Sequence, residues 1–144
     1  MSKNLEYNVK LEWDKKTGGQ AYFKENPSLK FDMPAEFGGG GKHYCSDEIF
    51  LAALSGCLLE TYLYISKKMK ITLKELNVTS TSRVQSTRDG YYIKELLFQF
   101  EISGLKKQED KLKECLELAI HYCHLTRAIN SNIKTVFTHK ITLI

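Results

Sequence analysis

Four cysteines and four histidines are the side chains in this 144-residue chain most suited to carry chemistry. The histidines are His43, His121, His124 and His139, and the cysteines are Cys45, Cys57, Cys115 and Cys123. A structural zinc site would show paired ligands at short spacing, but the sequence has neither C-x-x-C nor H-x-x-x-H. On the second predicted helix, 100° per residue places His121 opposite Cys123, so the H-x-C-H run 121–124 cannot converge on one ion. A phosphate-binding loop is also excluded. The glycine run Gly38 to Gly41 precedes Lys42, but Glu36 stands where the motif needs Gly and His43 where it needs Ser or Thr. Cys57 and Cys123 remain, each inside an apolar helical stretch. Each alone is most simply a small core residue. If their two helices face each other, they form a buried dithiol, and its chemistry is thiol redox. A thiolate attacks a peroxide oxygen, a sulfenic acid forms, and the second cysteine closes a disulfide.

The elements that must position this pair can be read from periodicity. Leu5, Tyr7, Val9, Leu11 and Trp13 alternate with polar residues and predict a half-buried strand. Turn residues 15–19 lead to a returning strand over 20–25, and Leu29, Phe31 and Met33 mark a third. The glycine run is either mobile or lets the backbone approach something closely. Ser46, with Asp47 and Glu48 in the first turn, starts a helix that runs to about Met69. It is apolar almost all round from Ile49 to Leu59, an 11-residue run against the roughly 20 of a membrane span, so a buried helix enclosed on every side is expected. Leu76, Val78, Ser80, Ser82 and Val84 share one face of a strand, and Arg88-Asp89-Gly90 turns it. In the partner strand Leu96, Phe98, Phe100 and Ile102 are in phase and Leu97 is not. A second helix is predicted from about Lys106 to Ile129, with Leu112, Leu116, Ala119, Ile120 and Cys123 as its stripe. A last strand runs from Ile133 to Ile144. The order β-β-β-α-β-β-α-β, mostly joined by hairpins, gives an α+β class with mainly antiparallel sheets, and 1–144 reads as a single domain.

Composition narrows the class further. Lys plus Arg is 21 against Asp plus Glu 17, a net charge of +4 that is too small and too evenly spread for a nucleic-acid surface. No apolar segment of signal-peptide type opens the chain, so a cytoplasmic setting with reduced cysteines is expected, and no membrane or nucleic-acid partner. One chain of this size offers limited cover for a helix apolar all round. A homodimer is therefore expected, with an isologous interface.

The segment Asp47-Glu48-Ile49-Phe50-Leu51-Ala52-Ala53-Leu54-Ser55-Gly56-Cys57 resembles the P-x-E-L-L-L-A-A-L-A-G-C segment of the OsmC/Ohr superfamily (osmotically inducible protein C and organic hydroperoxide resistance proteins). Tyr122-Cys123-His124 resembles its second-cysteine segment, and the 66-residue separation and the order of elements fit. Ser66-Lys67-Lys68-Met69 and the Leu116-x-x-x-x-x-Tyr122-Cys123 spacing look most like the OsmC-like branch of redox proteins. The resemblance implies an α+β intertwined homodimer with two long central helices and active sites at the dimer interface. It also implies thiol-dependent reduction of organic hydroperoxides. By motif, Cys57 takes the peroxidatic role and Cys123 the resolving role. The family's glutamate falls at Asp47 or its neighbour Glu48.

The chain departs from the family at the arginine that stabilises the thiolate. In the hydroperoxide-resistance branch it follows a Gly-Gly, but here Gly18-Gly19 is followed by Gln20, and no Arg precedes Arg83. Burial should raise the Cys57 pKa. A substitute cation is then needed, with Arg127, one turn beyond Cys123, or Lys42 or His43 as candidates. Asp47 lies about 15 Å along the helix axis from Cys57, so a carboxylate would act through a bridging cation, a bent helix start or the other chain. Cys45 and Cys115 read as structural. Two functions follow: a two-cysteine peroxidase drawing on an external dithiol, or a non-peroxidatic protein holding a small apolar ligand between subunits. Neither needs a metal, flavin or nicotinamide cofactor.

Overall fold

The computed structural model describes residues 5–144. The expected Leu5–Trp13 strand is regular only over Lys10–Trp13 (β1). It pairs antiparallel with β2 (Gly18–Tyr22), which pairs with β3 (Leu29–Asp32). β1 is exposed along its length, as are Leu5, Tyr7 and Val9. Period-two alternation shows which side of a strand is apolar. It does not guarantee that anything in the same chain covers that side. The glycine loop makes a close approach: a Cβ on Gly39 would lie 1.8 Å from the Met33 carbonyl oxygen. Gly38 and Gly41 take φ of 84° and 61°, in the left-handed region that glycine enters without steric cost.

The chain's contacts group into two compact units, Met1–Ile49 and Phe50–Ile144. The second unit is built on a sheet ordered β4 (Leu73–Thr87), β5 (Gly90–Gly104), β6 (Lys134–Leu143). β4 and β5 form the expected hairpin, while β6 runs parallel to β5. A parallel neighbour needs a crossover, and the intervening helical segment supplies it. The long helix α1 spans Ser46–Lys68 and ends with Lys70 at φ 53°. There the Ile71 N–H donates to the Ser66 carbonyl at 2.9 Å, closing the helix with a left-handed cap.

The expected second helix is interrupted. A short 3₁₀ turn at Lys106–Gln108 leads into α2 (Glu109–Tyr122), Cys123 leaves helical geometry with ψ 103°, and α3 (His124–Ile129) resumes. The core joins Leu54, Cys57, Leu58 and Tyr62 of α1 to Leu96, Phe98, Phe100 and Ile102 of β5 and Leu112, Cys115, Leu116 and Ala119 of α2. α1 is thus covered on one face only within the chain. Ala52, Ala53, Leu63 and Tyr64 on its other side are exposed. Its apolar character continues past Glu60, with a mean hydropathy of 1.6 over an 18-residue window. By length and composition alone the helix could cross a membrane; here it serves as the core helix of an α+β unit.

Candidate functional site

Two helices bring Cys57 and Cys123 together. Cys57 lies on the buried face of α1 with Leu54, Leu58 and Tyr62, at the spacing that stacks side chains on one stripe. Cys123 continues the α2 stripe and is completely buried. Their sulfurs are 3.0 Å apart, and both are free thiols. The dithiol lies wholly inside the second unit.

The break at Cys123 gives the site its remaining members. Cys123 still donates its N–H to Ala119 and accepts from Arg127 N–H at 3.1 Å, and its carbonyl also accepts from the buried Thr126 hydroxyl at 3.2 Å. The first N–H groups of a new helix have no partner within it. One of these, from Leu125, donates to the Cys57 sulfur. The ring of His124 also arrives there, with Nδ1 3.7 Å from Cys57 Sγ. Reading 106–129 as one unbroken helix gives no sign that His124 reaches Cys57. His124 was missed for that reason. His121 is exposed and meets the edge of Tyr122 instead.

Burial is the main influence on Cys57 and pushes its thiol pKa up, and the neighbouring Cys123 adds to the rise. The Leu125 N–H and the Thr61 hydroxyl act in the opposite direction by favouring the thiolate. No Lys or Arg is among these influences within the described residues. Arg127 follows on α3 with an exposed side chain, and Thr126 occupies the buried position. Glu48 accepts the Cys45 N–H at 3.2 Å and so serves the start of α1, while Asp47 lines a cavity in the N-terminal unit. Gln20 donates to the Ser28 hydroxyl at 2.5 Å. The Lys42 N–H donates to Asp32 at 3.3 Å, and His43 lines a small cleft beside Trp13 and Gln20. Cys115 is fully buried with its thiol pushed up to about 11 by desolvation, so it stays protonated and inert as a core residue. No cluster of three or more His, Cys, Asp or Glu suited to a metal ion occurs among the described residues.

The N-terminal unit carries a cavity of about 620 Å³ lined largely by Leu11, Trp13, Phe31, Met33, Pro34 and Phe37. It is mainly apolar, with Glu12, Asp32 and Asp47 also in its lining.

The profile of the OsmC-like protein family matches residues 39–138, a stretch that takes in both cysteines. The chain belongs to the OsmC-like family. No curated protein matches it in sequence. Among solved structures, it is similar to an organic hydroperoxide resistance protein OsmC from Legionella pneumophila, with a TM-score of 0.76 and 21% identity over 96% of this chain and 99% of that one. It is similar to an organic hydroperoxide resistance protein from Elizabethkingia anophelis at TM-score 0.80 and 17% identity, covering 99% and 100%. A third match is an organic hydroperoxide resistance protein from Vibrio cholerae with captopril bound in one of its active sites, at TM-score 0.74 and 18% identity, covering 94% and 93%. At these identities the likeness establishes a common fold, and the activity must be argued from the OsmC-like chain's own residues.

Proposed function

We propose that this OsmC-like protein is a two-cysteine thiol peroxidase acting on organic hydroperoxides. The observation that carries this reading is the pair of free, buried sulfurs 3.0 Å apart, one on α1 and the other at the break between α2 and α3. A sulfenic acid formed on one would meet the other at once, which is the requirement for disulfide closure ahead of over-oxidation. Cys57 is the nucleophile and Cys123 the resolving thiol. An external dithiol would return the disulfide to the reduced pair. The names of the similar proteins support the substrate class. The uncovered flank of α1 and the exposed apolar row of β1 support a homodimer, and reduced cysteines suit a cytoplasmic setting.

Turnover of alkyl hydroperoxides with a dithiol tests the assignment. Cys57→Ser should abolish consumption. Cys123→Ser should react once, leave a sulfenic acid at position 57 that a dimedone-type probe labels, and over-oxidise with excess peroxide. Consumption by Cys57→Ser at the wild-type rate would overturn it.

A second reading has its own observations: the raised thiol of Cys57, the absence of Lys or Arg among its influences within the described residues, and the apolar cavity. In that reading the protein binds a small apolar ligand without turnover. Tight binding of such a ligand by a protein inert to every hydroperoxide would favour it.

A further inference from the structure

A thiol raised by burial needs a group to take its proton, and no Lys or Arg is among the influences on Cys57 within the described residues. An arginine would stabilise a thiolate by charge and N–H donation but could not take its proton. The group beside the Cys57 sulfur here is an imidazole, which can both accept a proton and then carry the charge. It reaches the sulfur because the chain departs from helical geometry at Cys123. In an unbroken helix the Leu125 N–H would be committed to the carbonyl four residues back, and His124 would be turned about 100° from Cys123. With ψ at 103° for Cys123, the His124 ring and the Leu125 N–H both converge on the Cys57 sulfur. His124 is exposed to solvent, so a proton it accepts can exchange with water. The titratable side chains bonded to Cys57 among the described residues are His124 and Cys123.

We propose that His124 is the catalytic base of the dithiol: Nδ1 takes the Cys57 thiol proton, and the imidazolium and the Leu125 N–H hold the thiolate. For its substrate this rests on the peroxidase reading. The thiolate attacks the distal oxygen of the hydroperoxide, the S–O bond forms and the O–O bond breaks. The departing alkoxide takes the proton from His124 and leaves as the alcohol, so Cys57 becomes a sulfenic acid and the imidazole is neutral again. The Cys123 sulfur, 3.0 Å away, then attacks Cys57 sulfur. The S–O bond breaks, and hydroxide leaves with the Cys123 proton as water. Two thiols have supplied two electrons to one hydroperoxide, and an external dithiol restores them.

The test reads the thiolate directly, without peroxide. The rate of Cys57 alkylation by iodoacetamide is followed from pH 5 to 10 with the modified cysteine identified by peptide mapping. Wild type should show a thiolate inflection at lower pH than His124→Gln. His124→Gln should move the inflection to higher pH and react at least about 10-fold more slowly at pH 7, with the gap narrowing as pH rises toward 10. Identical profiles would overturn the proposal. So would an equal loss at every pH, which would mean a packing role. A reciprocal measurement leaves His124 in place: in Cys57→Ser its imidazole, followed by NMR, should titrate at lower pH than in wild type, and an unchanged titration would overturn the proposal too. If wild type consumes no hydroperoxide while the alkylation profiles differ as stated, the substrate reading fails and the base assignment stands.

Discussion

Oxidising the dithiol should stabilise the protein by an amount that follows from its position in the chain. A bridge between residues 66 apart closes a long loop in the unfolded state. The chain-entropy relation puts the stabilisation for such a loop at about 4 kcal/mol at 25 °C. For a chain of this length each kcal/mol moves the melting midpoint by roughly 3 °C, so the oxidised form should melt roughly 10–15 °C higher. The gain survives in the folded state because the two sulfurs already touch. Bond formation needs an approach of only about 1 Å beyond their present separation. The assay is differential scanning calorimetry of reduced protein, of protein given one equivalent of oxidant, and of the same sample after dithiothreitol. The rise should be reversible by the reductant and absent from Cys57→Ser and Cys123→Ser. A mapped 57–123 bridge with an unchanged or lower midpoint would refute the reasoning, because closure would then strain the helices that hold the cysteines.

Three further outcomes test other parts of the structure. Glu95 is a buried carboxylate held below its usual range mainly by Lys134, at 2.9 Å, with Arg83 also at 2.9 Å. Its folded pKa is depressed, so its contribution to stability should be present above the unfolded value of about 4.5 and disappear as pH falls through the folded one. Urea melts should show Glu95→Gln weaker than wild type at pH 7 and equal to it near pH 2. Gly39→Ala drives a Cβ into the Met33 carbonyl and should cost about 3 kcal/mol in the same melts, whereas Gly38→Ala meets no atom and is opposed only by its positive φ. Leu63→Glu, on the uncovered side of α1, should leave the fold intact by circular dichroism and shift sedimentation from dimer to monomer. A wild-type protein that sediments as a stable, active monomer would reject the dimer.

Much of this was legible because it depends on repetition. The order of elements, the in-phase residues Leu96, Phe98, Phe100 and Ile102, and the α2 stripe ending at Cys123 follow from side-chain period, and these side chains are buried as the pattern requires except Ile120, which is half-buried. The meeting of the two cysteines stayed open, since Cys123 lies on the α2 stripe but a helix apolar almost all round shows no face for Cys57. What was not legible depends on tertiary packing. No Gly or Pro marks the break at Cys123, so the residues around it read as one helix, and His124 was lost with the wrong geometry. The parallel pairing of β6 had a signal, the long helical connection after β5, which a sequence dominated by hairpins obscured. The exposure of β1 could not be read at all, because alternation carries no information about what lies opposite.

A two-cysteine peroxidase is defined by one chemical event, the joining of Cys57 to Cys123 by a hydroperoxide. Reduced wild-type protein given a single equivalent of an alkyl hydroperoxide, quenched by alkylation and digested, should yield the 57–123 disulfide peptide as the main product, with Cys45 and Cys115 alkylated and one alcohol formed per bridge. Both cysteines recovered as alkylated thiols, with the hydroperoxide unconsumed, would contradict it.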